Sequence, residues 1–138
     1  MGRIINYAGL ALIKESEGYR DKAYQDTGGV WTIGYGHTKG VHQFQECTPE
    51  QAEYWLEQDL LDAEAAVSKY AKAPLTDNQF AALVSFTFNL GPGALQTLLS
   101  HGIENVPTQI LRWDHDNGKQ IPGLTKRRLS EHNLWSMK

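Results

Sequence analysis

Apolar residues recur at helical spacing near the start of the chain. Ile5, Ala8 and Leu12 share one face between Ile4 and about Ser16, with Asn6 placed to cap the first turn, so the segment reads as a short amphipathic helix. Gly18 is a natural stop and leaves Glu17 at the helix end. From Lys22 to Ile33 the pattern becomes strand-like on either side of Asp26-Thr27-Gly28-Gly29, which predicts a small β-hairpin. Gly34, Gly36 and Gly40 then mark a tightly bent loop where a ligand can approach the backbone.

Two helix starts follow. Thr48-Pro49-Glu50-Gln51 combines a threonine cap, proline at the first helical position and glutamine three residues after the cap, and predicts a long helix to about Tyr70. Its inward stripe is Ala52, Leu56, Asp59, Ala63, Val67 and Tyr70, in which Asp59 is a charge in an apolar row and calls for a buried partner. Thr76-Asp77-Asn78-Gln79 repeats the capping signature before a segment, Phe80 to about Leu90, that is apolar on most sides and therefore a core helix ended by Gly91-Pro92. Shorter helices are expected around Ala94 to Ser100 and Pro107 to Trp113. Turns are expected at Asn117-Gly118 and Pro122-Gly123, then a last helix from Leu124 to about Met137.

Length and composition narrow the classes. A chain of 138 residues suits one domain with two lobes, and its 41% hydrophobic and 21% charged residues are those of an ordinary globular protein. A net charge of −3 argues against a general nucleic-acid binder. Cys47 is the single cysteine, so no intrachain disulfide forms, and it reads as a small apolar residue rather than a reactive thiol. The apolar run Tyr7 to Ile13 is too short to span a membrane and lacks the flanks of a cleavable signal, so no stable membrane insertion is expected. The histidines are His37 and His42 in the glycine-rich loop and the scattered His101, His115 and His132, a distribution that indicates no metal site. The glycine run from Gly34 to Gly40 is not followed directly by a long helix, which argues against a dinucleotide loop.

Acid-catalysed glycoside cleavage needs a protonated carboxyl beside the leaving oxygen and a carboxylate across the sugar ring. Glu17 at a helix end and Asp26 at a hairpin turn could supply the two, although spacing alone favours reading them as ordinary surface acids. The whole segment adds more. Glu17, Asp26 and Thr32 are separated by eight and five residues and are followed by Ile33-Gly34-Tyr35-Gly36-His37. This closely resembles the phage-type lysozymes, and Phe88-Asn89-Leu90-Gly91 and Gly123-Leu124 with Arg127, Arg128 and Glu131 extend the resemblance over most of the chain. Thr38, Lys39 and the stretch to Cys47 follow no family pattern.

The resemblance implies an α+β, mainly helical, lysozyme-like fold. A small hairpin lobe would cover about residues 18–47, and a helical lobe about 48–138 plus the N-terminal helix, joined by the long helix with the substrate cleft between them. It implies Glu17 as general acid, Asp26 as second carboxylate and Thr32 as the hydroxyl that helps place the attacking water. A carboxylate separation of roughly 6.5–9.5 Å would mean inversion and about 5 Å retention. It assigns Gly36, Thr38, Phe88 and Asn89 to substrate binding, pairs His37 with Asp59 as a structural contact, and places an arginine beside the catalytic glutamate. Arg127 and Arg128 could each fill that last role, or could pair with Glu131 along their own helix. The activity implied is hydrolysis of the β-1,4 bond between N-acetylmuramic acid and N-acetylglucosamine by a monomer without cofactor, acting from the host bacterial cytoplasm once a separate membrane-pore protein, a holin, opens the way. The rivals are a non-catalytic peptidoglycan-binding module and a lytic transglycosylase, which needs only one acid.

Overall fold

The computed structural model describes residues 2–137. The first helix, α1 (Tyr7–Glu17), begins where Asn6 Oδ1 accepts a hydrogen bond from the Gly9 amide at 2.9 Å and ends before Gly18, whose φ of 73° is left-handed. Strands β1 (Arg20–Gln25) and β2 (Trp31–Gly34) form the antiparallel hairpin, with Tyr24 opposite Thr32 and Gln25 opposite Trp31. Helices α2 (Pro49–Asp59), α3 (Leu61–Tyr70), α4 (Asp77–Leu90) and α5 (Pro92–Leu99) follow. Both capping boxes form as the sequence predicts, at Thr48 with Gln51 and at Thr76 with Gln79.

The helix expected to run unbroken to Tyr70 is interrupted at Leu60. The break is slight, because Leu60 keeps helical dihedrals (φ −77°, ψ −15°) and its amide still reaches Leu56 O at 2.9 Å. The helix expected from Pro107 is shorter and starts earlier: a 3₁₀ turn, Ile103–Asn105, leads into α6 (Val106–Ile110). Asn117 and Gly118, both with positive φ, join the two-residue strands β3 (His115–Asp116) and β4 (Lys119–Gln120). Pro122-Gly123, read as a turn, instead opens the last helix, α7 (Pro122–Ser136), since proline at the first helical position lacks only an amide that would have had no helical partner.

Contacts divide the chain into two compact units. One comprises the residues up to Ser16 with those from Asp62 onward, and the other Glu17–Leu61, so α2 belongs with the hairpin rather than with the helical residues among which the sequence reading counts it. In the larger unit α4 is the centre: every residue from Phe80 to Thr87 is buried, and α4 packs against α5 and α7. In the smaller unit Ile33 of β2 is buried, as are Ala52 and Leu56 of α2.

Of the three buried acids among the described residues of the larger unit, two tie separate segments together. Glu64 Oε2 accepts the Ile5 amide at 2.8 Å and so ties the N-terminal segment to α3. Asp114 receives Gln120 Nε2 and Thr125 Oγ1, each at 2.8 Å, and those two donors hold its carboxyl below the usual range. It thereby fastens the β3–β4 hairpin to the start of α7.

Candidate active site

Hairpin register decides which side chains share a face. With Tyr24 opposite Thr32, and the Asp26 amide donating to Val30 O at 2.9 Å to continue the ladder, strand alternation puts Asp26 and Thr32 on one face and Trp31 on the other. Asp26 is exposed at the turn, where its Oδ1 accepts the amides of Gly28 and Val30, both at 2.9 Å. Two donors on one oxygen fix the carboxylate and leave Oδ2 free of protein partners among the described residues. Thr32 is buried and donates its hydroxyl proton to Val30 O at 2.9 Å, so its oxygen is left to act as an acceptor.

Glu17, the last residue of α1, is half-buried. Its Oε1 would stand 3.0 Å from a Cβ added at Gly36, where φ is +82°. A side chain at position 36 would therefore press on the carboxylate and strain the backbone together. Gly36, singled out as a substrate contact, is thus also the floor against which Glu17 rests. Thr38 is exposed two residues further along the same loop.

His37 lies between the two. Its backbone exchanges two 2.9 Å hydrogen bonds with Ile33, its ring stacks on Trp55 with centroids 4.8 Å apart, and its Nδ1 stands 2.8 Å from Asp59 Oδ2. Asp59 thus has the partner that its place in the apolar stripe of α2 requires, and the contact holds the loop carrying Gly36 to that helix. Asp59→Ala is expected to cost about 1–3 kcal/mol of unfolding free energy in urea, because the largely buried imidazole loses its acceptor. Unchanged stability would show that the contact carries no structural weight.

The remaining candidates lie in the larger unit. Phe88 and Asn89 are half-buried on the last turn of α4, and Asn89 Oδ1 is a buried acceptor with no hydrogen-bond partner among the described residues. A side-chain amide with an unused acceptor is suited to take an N–H from an N-acetyl group. Arg127 and Arg128 both point inward and both meet Glu131, the intrahelical alternative: Arg128 Nε stands 2.7 Å from Oε1 and Arg127 Nε 3.5 Å from Oε2. Ser85 of α4 completes the cluster by donating to Glu131 Oε2 at 2.6 Å, a partner that the sequence does not advertise. Burial pushes the Cys47 thiol up, in keeping with an inert cysteine. No three His, Cys, Asp or Glu side chains are grouped so as to hold a metal ion among the described residues.

The comparisons with known proteins agree with this architecture. The sequence profile of the phage lysozyme family matches residues 14–131, and the chain belongs to that family. It is 40% identical to an endolysin of Acyrthosiphon pisum secondary endosymbiont phage 1, over 95% of this chain and 97% of that one. It is also 41% identical to an endolysin of Bacillus phage B103, over 95% of this chain and about half (53%) of that protein. Among solved structures it resembles the muramidase domain of SpmX from Asticaccaulis excentricus, with a TM-score of 0.89, 38% identity and 99% of each chain covered. An endolysin from Escherichia coli O157:H7 phage FAHEc1 superposes with a TM-score of 0.87 at 36% identity, covering 97% of this chain and 94% of that one.

Proposed function

We propose that the chain is an endolysin that hydrolyses the β-1,4 bond between N-acetylmuramic acid and N-acetylglucosamine in bacterial peptidoglycan. The observation that carries this reading is the Glu17–Leu61 unit itself, which rests the Glu17 carboxyl against a glycine, fixes Asp26 with two amides and puts Thr32 on the Asp26 face. Glu17 gives its proton to the bridging oxygen as the bond to the anomeric carbon breaks. A water donates one hydrogen to Asp26 and the other to the Thr32 oxygen, which leaves a lone pair to attack that carbon while Asp26 takes up the proton. The larger unit carries two residues that the resemblance assigns to substrate: Asn89, whose unused acceptor suits an N-acetyl N–H, and Phe88, a ring on which a sugar can pack.

The names of the relatives, endolysin and muramidase domain, support a wall-hydrolysing role in host-cell lysis. Among the described residues no helix is long and apolar enough to cross a membrane, and in the lysis reading the enzyme meets the wall from the host cytoplasm after a separate holin opens the membrane. A transglycosylase is the second reading, and the fixed Asp26 carboxylate favours hydrolysis over it, because water attack across the ring uses a second carboxylate as base, whereas in internal ring closure the C6 hydroxyl can return its proton to the one acid that protonated the leaving oxygen.

Product analysis tests the proposal. Purified sacculi digested with the protein are expected to release glycan fragments ending in reducing N-acetylmuramic acid. Anhydro-muramic ends would assign a transglycosylase, and an absence of fragments would leave a binding module.

A further inference from the structure

Trp31, on the face of the hairpin opposite Asp26 and Thr32, helps to line an open groove of about 410 Å³ together with Lys22, Ala23, Gln43, Phe44 and Glu46. Its most unusual wall is Phe44. The residue has a φ of 70° in a turn closed by the Gln45 amide on His42 O at 3.3 Å, a backbone conformation suited to glycine and costly for a bulky side chain. Core burial does not repay that cost, because Phe44 is 86% exposed. Nor is the segment a loose excursion. The Ala23 amide donates to Gln45 O and the Cys47 amide to Asp21 O, both at 2.9 Å, and Lys22 and Glu46 form a β-bridge, so the chain from Gln45 to Cys47 is pinned along β1. A phenyl ring is therefore held out into water at a fixed place in the same groove as Trp31, and strain kept without a packing return points to a ligand.

We propose that this groove is a second carbohydrate site, which holds an N-acetylated sugar of a peptidoglycan strand away from the reacting bond. The C–H faces of a pyranose suit the Phe44 and Trp31 rings. The Gln43 amide, the Lys22 ammonium and the Glu46 carboxylate surround them with donors and acceptors for hydroxyl and acetamide groups. Lys22 and Glu46 balance in charge, which suits a neutral sugar better than a phosphate-rich polymer. The identity of the glycan rests on the peptidoglycan reading above. The consequence is specific: the groove captures the insoluble wall and has no part in bond cleavage.

The test uses Phe44→Gly, which removes the ring and relieves the backbone, and Phe44→Trp, which retains a stacking surface. In a Glu17→Gln background that keeps the glycan intact, co-sedimentation with purified sacculi is expected to weaken roughly 3- to 10-fold for Phe44→Gly, the loss of one aromatic contact, and to be retained by Phe44→Trp. With Glu17 restored, Phe44→Gly is expected to melt at or above the wild-type temperature and to cleave a soluble glycan fragment with unchanged kcat/KM. Sacculi stripped of stem peptides by an amidase should show the same dependence on Phe44. Wall capture unchanged by Phe44→Gly overturns the site, and a dependence lost with the peptides assigns the groove to the stem peptide and overturns the carbohydrate proposal. Failure of the muramidase reading is separate, since wild-type protein would then release no reducing ends whatever residue stands at position 44.

Discussion

Glu17→Gln is expected to abolish clearing of permeabilised bacteria and to slow hydrolysis of purified wall glycan by about 10²–10⁴-fold, the usual contribution of a positioned general acid. Glutamine matches the carboxyl in shape, so it still rests over Gly36. It has no proton to give the bridging oxygen, and the leaving sugar must depart as an alkoxide. The defect should therefore fall on kcat rather than on KM, with circular dichroism showing the fold intact. Asp26→Asn in parallel tests the other half of the reaction, because the Gly28 and Val30 amides can still bond the amide oxygen while the proton acceptor for water is gone. Equal clearing by Glu17→Gln and wild type would remove the muramidase assignment.

The features legible in the sequence are those whose cause is local. Asn6, Thr48 and Thr76 cap helices through bonds that close within three residues, so a short window holds the whole reason for them. The Asp59 pairing was legible differently. A carboxylate in an apolar stripe demands a partner, and the resemblance to the phage-type lysozymes supplied His37. What stayed hidden depends on the rest of the fold. Leu60 separates α2 from α3 without glycine, proline or any change of dihedral region to announce it. Glu64 has the look of a surface acid until the Ile5 amide, 59 residues away, is laid against it. Phe44 occupies a left-handed position that a glycine would have betrayed, so nothing in its own letter warns of the turn. Of the candidate site, the segment from Glu17 to His37 was readable because its spacing is a motif. The part of Ser85 in the arginine cluster was not, because it enters from another helix 42 residues from Arg127.

That arginine cluster carries the largest expected effect on stability. Arg128 and Glu131 are both 0% exposed, Arg127 is buried beside them, and Ser85 gives the carboxylate a hydroxyl at 2.6 Å. Burial pushes Glu131 up against the opposing pull of Arg128, Ser85 and Arg127, and burial also draws Arg128 down. Both directions say that desolvation outweighs attraction, so the pair adds little over an apolar filling of the same volume. Breaking it is another matter. Glu131→Gln takes from the Arg128 guanidinium, 0% exposed, the carboxylate it packs against and is expected to cost about 3–5 kcal/mol of unfolding free energy. The double variant Arg128→Met/Glu131→Leu removes one positive and one negative charge together, keeps the volume, and should recover much of that loss, so a double-mutant cycle in urea is expected to be strongly non-additive. Arg127 stays bonded to Ser85 O at 3.2 Å in either case. A Glu131→Gln protein within about 1 kcal/mol of wild type would mean that the guanidiniums draw their compensation from elsewhere than this carboxylate.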